Sequence, residues 1–503
     1  MNCIVGILKE FSLEEIKSFE RFLNSSYHNK SEKLKILFKE IKKFYPTFTN
    51  KKLTKQYLSK KISQNLKYND STFRNLISDL QILIEKFLVI EQLFKNGIDS
   101  NILLLKSLID KRQDNLFKTN LKKILAQVEK NGIDSSYYYS KRLLESYKFN
   151  YNILNKNEKS KKYIDDNIKI INSYIIYLIN YFVTEVINSH LKFVMWRSNF
   201  KIGEKANFSL SVLESIDINK ISCLIKEVDK DNFFLNLYLN LFLSFYNIEN
   251  KQYYQNYKSL VSKYHKRLSN DELSYHYSMF ISYCVIKNSS SENKFPYDNE
   301  LFRNYNIFLR GKFFIDKKSR YINETLYRNI LILSLRLNKF TWTFKFVSYY
   351  SKYLHPGKSK NLINLSYAEY YYHLGSYNNS SIYLKKAFNY LKEIREESFV
   401  IKHDIKILYL MIYYDLGYFE NLITLLKNYR KFLYRNFLIQ SERRRKLNKF
   451  LNVLEKLVYL KEGDPKIDIA KLNIDIAKLK NFNYHGWLLN KVQTLNINSH
   501  LQN

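Results

Sequence analysis

The chain has 503 residues, with 82 Lys and Arg against 47 Asp and Glu, so its formal net charge is +35 at pH 7. Apolar residues make up 46 % of it, which excludes wholesale disorder, and a length of roughly 150 residues per domain suggests three domains or one elongated array. Ten glycines and four prolines are too few for a β-sandwich, a propeller or collagen, and they argue against a glycine-loop nucleotide enzyme. We therefore expect an all-α fold of long helices with short connections.

Three widely spaced cysteines, Cys3, Cys223 and Cys284, form neither an even disulfide set nor a CxxC pair. This pattern favours a reducing compartment, so we expect a cytoplasmic protein. The first apolar run is interrupted by Lys9 and Glu10, and we expect no signal peptide.

Residues 1–95 are predicted to form an N-terminal helical module. Ser12-Leu13-Glu14-Glu15 begins a helix with a capping box, and further helices are predicted over 31–44, 53–62 and 71–94. The module resembles the front part of uncharacterised bacterial helical proteins in four short segments: Phe19-x-x-Phe22-Leu23, 26–30, 53–54 and 68–70. That resemblance implies no activity.

Two of these helices, 53–62 and 71 onward, resemble the helix-turn-helix core of winged-helix regulators. The resemblance places Arg74, Asn75 and Gln81 outward, and these are residue types that read base edges. Against it stand the length of the second helix, the acidic Asp79 and the lack of a visible β-hairpin wing. Helical packing is therefore the favoured interpretation, and nucleic-acid binding by this module is the alternative.

A six-residue segment, Lys95–Ser100, returns unchanged 35 residues later as Lys130–Ser135. Its Gly can close a helix in the left-handed conformation, and its Asp or Ser can cap the next helix. Each copy therefore predicts a helix stop and restart. A period near 34 residues is that of tetratricopeptide-type repeats.

The segment Tyr371–Tyr377, followed by Ser380, Leu384 and Ala387, resembles the tetratricopeptide signature, in which a small residue, here Gly375, turns between two helices. Ala368 and Ala387 fit the small positions where the helices approach, and weaker copies centre on 338 and 417. The resemblance implies an irregular TPR-like α-solenoid of antiparallel helix pairs over 96–460. It predicts a fold and a concave groove but no ligand.

Seven residues are predicted, from the repeat register, to line the concave groove: Leu365, Glu369, Tyr372, His373, Met411, Tyr414 and Asp415. Tetratricopeptide proteins that clamp C-terminal carboxylates present Lys, Asn and Arg there, which this chain does not, so that activity is not carried over. An aromatic and weakly acidic groove is expected to hold an extended or helical peptide.

Two stretches, 170–184 and 232–248, contain no charged residue. A membrane span needs about 20 apolar residues, but polar residues recur in each stretch at about every fourth position. One polar stripe on an apolar helix is typical of a helix buried on most sides. We therefore predict two inner helices and no membrane span.

The segment Lys427–Lys456 holds ten Lys or Arg, two acidic residues and five of the chain's 17 Arg. Leu447, Leu451, Leu454 and Val458 are predicted to be its buried face. The candidates for contact with an anion or a nucleic acid are Arg443, Arg444, Arg445, Lys446 and Lys449. An ordinary solvated helix face is the alternative, because 65 of the 82 basic residues are Lys and biased coding explains such a global excess.

Residues 461–503 are predicted to be capping helices, because a terminal repeat must cover the last apolar face of an array. No catalytic motif and no metal-ligand spacing is found, so we expect neither an enzyme nor a cofactor. We predict a non-catalytic scaffold that binds another protein or a peptide in the concave groove. The alternative is a nucleic-acid-associated regulator that uses the N-terminal module or the basic C-terminal helices.

Overall fold

The computed structural model describes residues 2–48, 53–62, 69–96, 98–155, 160–199, 207–290, 295–315, 320–395, 399–435, 441–463, 467–479, 482 and 484–500. These residues form 24 α-helices and no β-strand, and consecutive helices pack on one another. The predicted all-α, solenoid-like fold is therefore confirmed.

The chain divides into two compact units. The first comprises Met1–Asn131 and Tyr139–Leu178, and the second comprises Gly132–Tyr138 and Ile179–Asn503. The helices up to residue 199 are α1 (Asn2–Glu10), α2 (Leu13–Asn24), α3 (Glu32–Lys42), α4 (Lys55–Ile62), α5 (Asp70–Asn96), α6 (Ile98–Asp110), α7 (Asp114–Lys130), α8 (Ser135–Asn155) and α9 (Lys161–Asn199).

The helices after residue 199 all lie in the second unit. They are α10 (Phe208–Ser215), α11 (Ile218–Val228), α12 (Phe234–Tyr246), α13 (Lys251–Tyr264), α14 (Asn270–Ser290), α15 (Asp298–Arg310), α16 (Glu324–Arg336), α17 (Phe340–Tyr350), α18 (Pro356–Tyr377), α19 (Ser381–Lys392), α20 (Phe399–Leu416), α21 (Phe419–Arg435), α22 (Ser441–Lys461), α23 (Ile469–Ala477) and α24 (His485–His500), with a 3-10 turn at Ser351–Tyr353.

The N-terminal helices pack around an aromatic core. The predicted capping box at α2 is confirmed, because Ser12 Oγ accepts from the Glu15 N–H at 3.2 Å and the Glu15 carboxylate accepts from the Ser12 N–H at 2.7 Å. Phe19 meets Phe38 edge to face at 4.9 Å and packs on Phe87 in a tilted arrangement at 5.3 Å between ring centroids, which joins α2 to α3 and α5. Edge-to-face rings stabilise such a core beyond their buried area.

The two charge-free stretches, predicted alike, differ in the structure. In α12 nine side chains are buried, which confirms an inner helix there. For α9 the prediction is wrong, since only 28 % of its most apolar window is buried. Ile164, Ile168, Ile171 and Ile175 are exposed, whereas polar residues of the same helix are buried.

One polar residue of α9, Asn167, faces inward in the first unit and makes amide hydrogen bonds there. Asn167 Oδ1 accepts from Asn152 Nδ2 of α8 at 3.1 Å, and Asn167 Nδ2 donates to the Tyr163 carbonyl at 3.0 Å. A buried amide is tolerated when its hydrogen bonds are made, so Asn167 can face inward. Among the described residues, Lys161–Arg197 is the one helix long and apolar enough to cross a membrane, judged by length and composition alone.

Both copies of the repeated six-residue segment lie at helix boundaries, as predicted. Helix α5 ends and α6 begins within the first copy, and α7 ends and α8 begins within the second. In the second copy Gly132 has a φ of +80°, and a Cβ there would lie 2.8 Å from the backbone nitrogen of Ser269. Glycine is therefore required by both conformation and space.

The same turn geometry joins the two helices in each of three successive pairs, α16/α17, α18/α19 and α20/α21. A residue with positive φ ends the first helix, and the next N–H bonds back to a carbonyl five residues earlier, as in a Schellman cap. The positive-φ residues are Asn338, Asn379 and Gly417, so turns predicted at 338 and 417 are confirmed. The turn predicted at Gly375 is wrong in register, because α18 continues to Tyr377.

Gly375 instead lies on α18 close to the backbone at the beginning of α19. A Cβ at this position would lie 3.1 Å from the Leu384 nitrogen and 3.1 Å from the Ser380 carbonyl oxygen. Ala368 and Ala387, the predicted small positions, are fully buried in the same helix pair. The small residues therefore serve the close packing of the helices, while the turn relies on asparagine.

Replacing Gly417 with valine should lower the free energy of unfolding by about 1–3 kcal/mol, because valine rarely adopts its φ of +78°. No atom lies within 4 Å of the added Cβ, so backbone strain alone causes the loss. The urea midpoint of the full chain measures it. Gly417→Asn is the matched control and should cost less, since asparagine enters this region more readily. Equal midpoints for the valine variant and the wild type would contradict the turn assignment.

Candidate functional site

The seven predicted groove residues lie on α18 and α20, the first helices of two adjacent pairs. Four of them, Leu365, Tyr372, Met411 and Tyr414, are at most 3 % exposed and belong to the core of the second unit. They therefore do not line an open groove, and the prediction needs correction on this point. Two of them, Tyr372 and Tyr414, contact the C-terminal helix of the same chain.

Helix α24 packs on α22 and α23, and it reaches Tyr372 and Tyr414 through Trp487. The Trp487 Nε1–H donates to Tyr372 Oη at 2.6 Å, and the Tyr372 hydroxyl donates to Asp415 Oδ2 at 2.8 Å. The Trp487 ring meets Tyr414 edge to face at 5.5 Å. One indole ring therefore contacts residues of both α18 and α20.

An ion pair one helical turn further along α24 adds a second contact. Lys491 Nζ lies 2.6 Å from Asp415 Oδ1, and the Asp415 side chain is 7 % exposed. Trp487 and Lys491 are four residues apart and so project from one face of the helix, next to the buried Leu488 and Val492. We call the surface of α18 and α20 that receives this face the α24 groove, defined by Tyr372, Tyr414 and Asp415.

The other predicted groove residues, Glu369 and His373, lie beside a buried ion pair. Arg328 of α16 binds Asp404 of α20 in a two-pronged contact, with Nη2 at 2.6 Å from Oδ1 and Nε donating to Oδ2. His373 Nε2 lies 3.7 Å from Glu369 Oε2. The fork of Arg328 therefore links the first helices of two repeats across the core.

Desolvation shifts the pKa values of Glu369 and His373 in opposite directions, although 37 % of the His373 side chain is exposed. Burial raises the pKa of Glu369 to about 8, helped by the nearby Asp404 carboxylate and opposed by Arg328. Loss of solvation lowers the pKa of His373 to about 4. Both groups are then neutral at pH 7, so the two side chains lie near each other without forming an ion pair.

The predicted basic residues lie on α22. Its predicted buried face is confirmed, since Leu447, Leu451, Leu454 and Val458 are fully buried. Arg445 is exposed, whereas Arg444, Lys446 and Lys449 are half-buried. The side chain of Arg443 lies outside the described residues.

The N-terminal candidates are largely bonded within their own helix. Arg74 forms an ion pair with Asp70 at 2.5 Å, and Gln81 donates to Glu85 at 2.9 Å. Asn75 is exposed. Helix α5 runs for 27 residues, and α4 packs on α3 while α5 packs on α2 and α3. Of the three candidates, Arg74 and Gln81 make the side-chain contacts given above, and Asn75 is exposed.

Two features of the site escaped sequence reasoning. The closing role of the C-terminal helices was predicted, but not that Trp487 and Lys491 would enter the groove. The candidate contacts of the basic segment all lie on α22, although the same segment carries Lys431 and Arg435 four residues apart on α21, a spacing that places both on one helix face.

The described residues contain no group of three or more His, Cys, Asp and Glu side chains placed to hold a metal ion. The other His–Glu pair of the chain, Glu272 and His276, lies in a buried network with Tyr238 and Tyr257. Comparisons with protein-family models, curated proteins and solved structures gave no match to this chain.

Proposed function

We propose that the chain is a non-catalytic scaffold of tetratricopeptide-like helix pairs whose α24 groove binds an amphipathic helix. The contact of Trp487 and Lys491 with Tyr372, Tyr414 and Asp415 carries this proposal. The positive-φ turn residues recur after 41 and 38 residues, somewhat longer than the 34 of the regular repeat, which suits an irregular array.

The chemistry of the groove specifies the helix that it accepts. Tyr372 and Tyr414 provide an aromatic surface, and the Tyr372 hydroxyl accepts from an indole N–H. Asp415 provides a carboxylate for a cation that lies one helical turn further along the bound helix. A ligand helix therefore needs an aromatic residue with an N–H donor and a basic residue four positions later. In the wild-type chain α24 fulfils this role, and a partner helix exchanges with it.

The test uses a fluorescent peptide of residues 484–500 and the full-length Lys491→Glu variant. This substitution opposes Asp415 with a second carboxylate, so the resident helix is weakened while the free peptide retains its lysine. Fluorescence anisotropy should show that the variant binds the peptide at least about tenfold more tightly than the wild type, whose tethered helix competes at a high effective concentration.

A peptide that carries the same Lys491→Glu change is the matched control and should bind the variant poorly. Equal binding of the two peptides, or equal binding by variant and wild type, would contradict a groove that selects a basic aromatic helix.

A further inference from the structure

An open cleft lies between the end of α21 and the beginning of α22, apart from the α24 groove. Its volume is about 670 Å³, and no carboxylate is among the described residues that line it. The residues that line it include Arg430, Lys431, Tyr434, Arg435, Arg444 and Asn448. Four of these six side chains are cationic.

The two helices contribute to the cleft in different ways. Arg430 is held in place, because its Nη2 donates to Asn452 at 2.8 Å and to Glu455 at 2.6 Å. Lys431 and Arg435 are four residues apart on α21 and so project from the same face of that helix. Arg444 and Asn448 have the same spacing on α22 and line the opposite side. The cleft therefore presents cations from two directions to a ligand lying along it.

Tyr434 lies among these cations with 82 % of its side chain exposed. A large aromatic ring left in solvent gains nothing for folding, whereas an unpaired nucleobase can stack on it. Cations that track phosphates beside an aromatic ring form the pattern by which proteins bind single strands. A duplex keeps its bases stacked on one another and offers no free base face to the ring.

We propose that this cleft binds single-stranded nucleic acid, with Lys431, Arg435 and Arg444 on the phosphates and Tyr434 stacked on a base. The segment Lys427–Lys456 has a net charge of +8 in 30 residues and holds five of the 17 Arg of the chain. This local positive charge attracts the phosphates of such a ligand. The site shares no residue with the α24 groove, so either proposal can fail without the other.

The test measures binding of the full chain to a fluorescein-labelled 12-nucleotide oligouridine and to the matching oligothymidine at several salt concentrations. Changing Lys431 and Arg435 together to Ser should weaken binding about tenfold or more and reduce the salt slope by about 1.4, the value for two phosphate contacts on a single strand. Exposed Lys122 and Lys123, changed together to Ser, are the matched control and should leave affinity near that of the wild type.

Tyr434→Ala should weaken oligonucleotide binding about fivefold or more, and Tyr434→Phe should restore it, because phenylalanine keeps the ring. Inorganic polyphosphate separates the two contributions: its binding should respond to the loss of Lys431 and Arg435 but not to Tyr434→Ala. The proposal is overturned if the Lys431/Arg435 variant binds as the Lys122/Lys123 control does. It is overturned equally if Tyr434→Ala leaves oligonucleotide affinity unchanged, since the cleft would then bind polyanions by charge alone. Tighter binding of RNA or of DNA assigns the sugar and supports the proposal in either case.

Discussion

Replacing Arg328 with alanine should lower the free energy of unfolding of the second unit by about 3–5 kcal/mol, the usual cost of breaking a buried ion pair from one side. Arg328 binds Asp404 through two nitrogens, and the Asp404 side chain is almost completely buried. Without the guanidinium, Asp404 becomes a buried carboxylate without its cation. Arg328 also opposes the rise in the pKa of Glu369 that burial causes, and this opposition would be lost as well.

A paired replacement separates the charge effect from lost packing. Arg328→Met combined with Asp404→Leu removes both charges and fills similar volume, so it should recover most of the stability lost in Arg328→Ala. Urea unfolding followed by circular dichroism measures all three proteins. A cost below about 1 kcal/mol for Arg328→Ala would mean that the pair behaves as a surface salt bridge.

Replacing Trp487 with alanine should cost about 3 kcal/mol, because a large ring that packs on Tyr414 and Phe450 is deleted and a cavity remains. The hydroxyl of Tyr372 also loses the donor that now approaches it at 2.6 Å. Trp487→Phe is the matched control, since it keeps a ring but not the N–H. It should cost only about 1 kcal/mol, the contribution of one hydrogen bond. Urea unfolding gives both values, and equal costs for alanine and phenylalanine would contradict this packing.

Local signals made much of the fold predictable. The capping box at Ser12, the turns at 338 and 417, and the helix boundaries in both copies of the repeated segment depend on residues close in sequence. Which face of a helix is covered depends instead on distant residues. The polar stripes of α9 and α12 look alike in sequence, yet α12 buries nine side chains, whereas only 28 % of the most apolar window of α9 is buried.

The same distinction applies to the candidate site. The repeat register found Tyr372, Tyr414 and Asp415, which the structure brings together on two helices. It could not show that the C-terminal helix contacts that surface, because Trp487 meets Tyr372 across 115 positions of sequence. Sequence reasoning does not find Tyr434 for a different reason. Periodicity identifies buried faces, and an exposed aromatic residue gives no such signal.

Hydrogen–deuterium exchange of the wild type and of Trp487→Ala, followed by mass spectrometry, tests most directly whether α24 occupies its groove. In the wild type the amides of residues 487–495 should exchange as slowly as those of α18 around Tyr372, because a docked helix opens only with the structure beneath it. In Trp487→Ala the α24 amides should exchange much faster, while those of the N-terminal helix α2 should be unchanged. Rapid exchange of residues 487–495 in the wild type, at the rate of an unprotected chain, would contradict a resident helix in the groove.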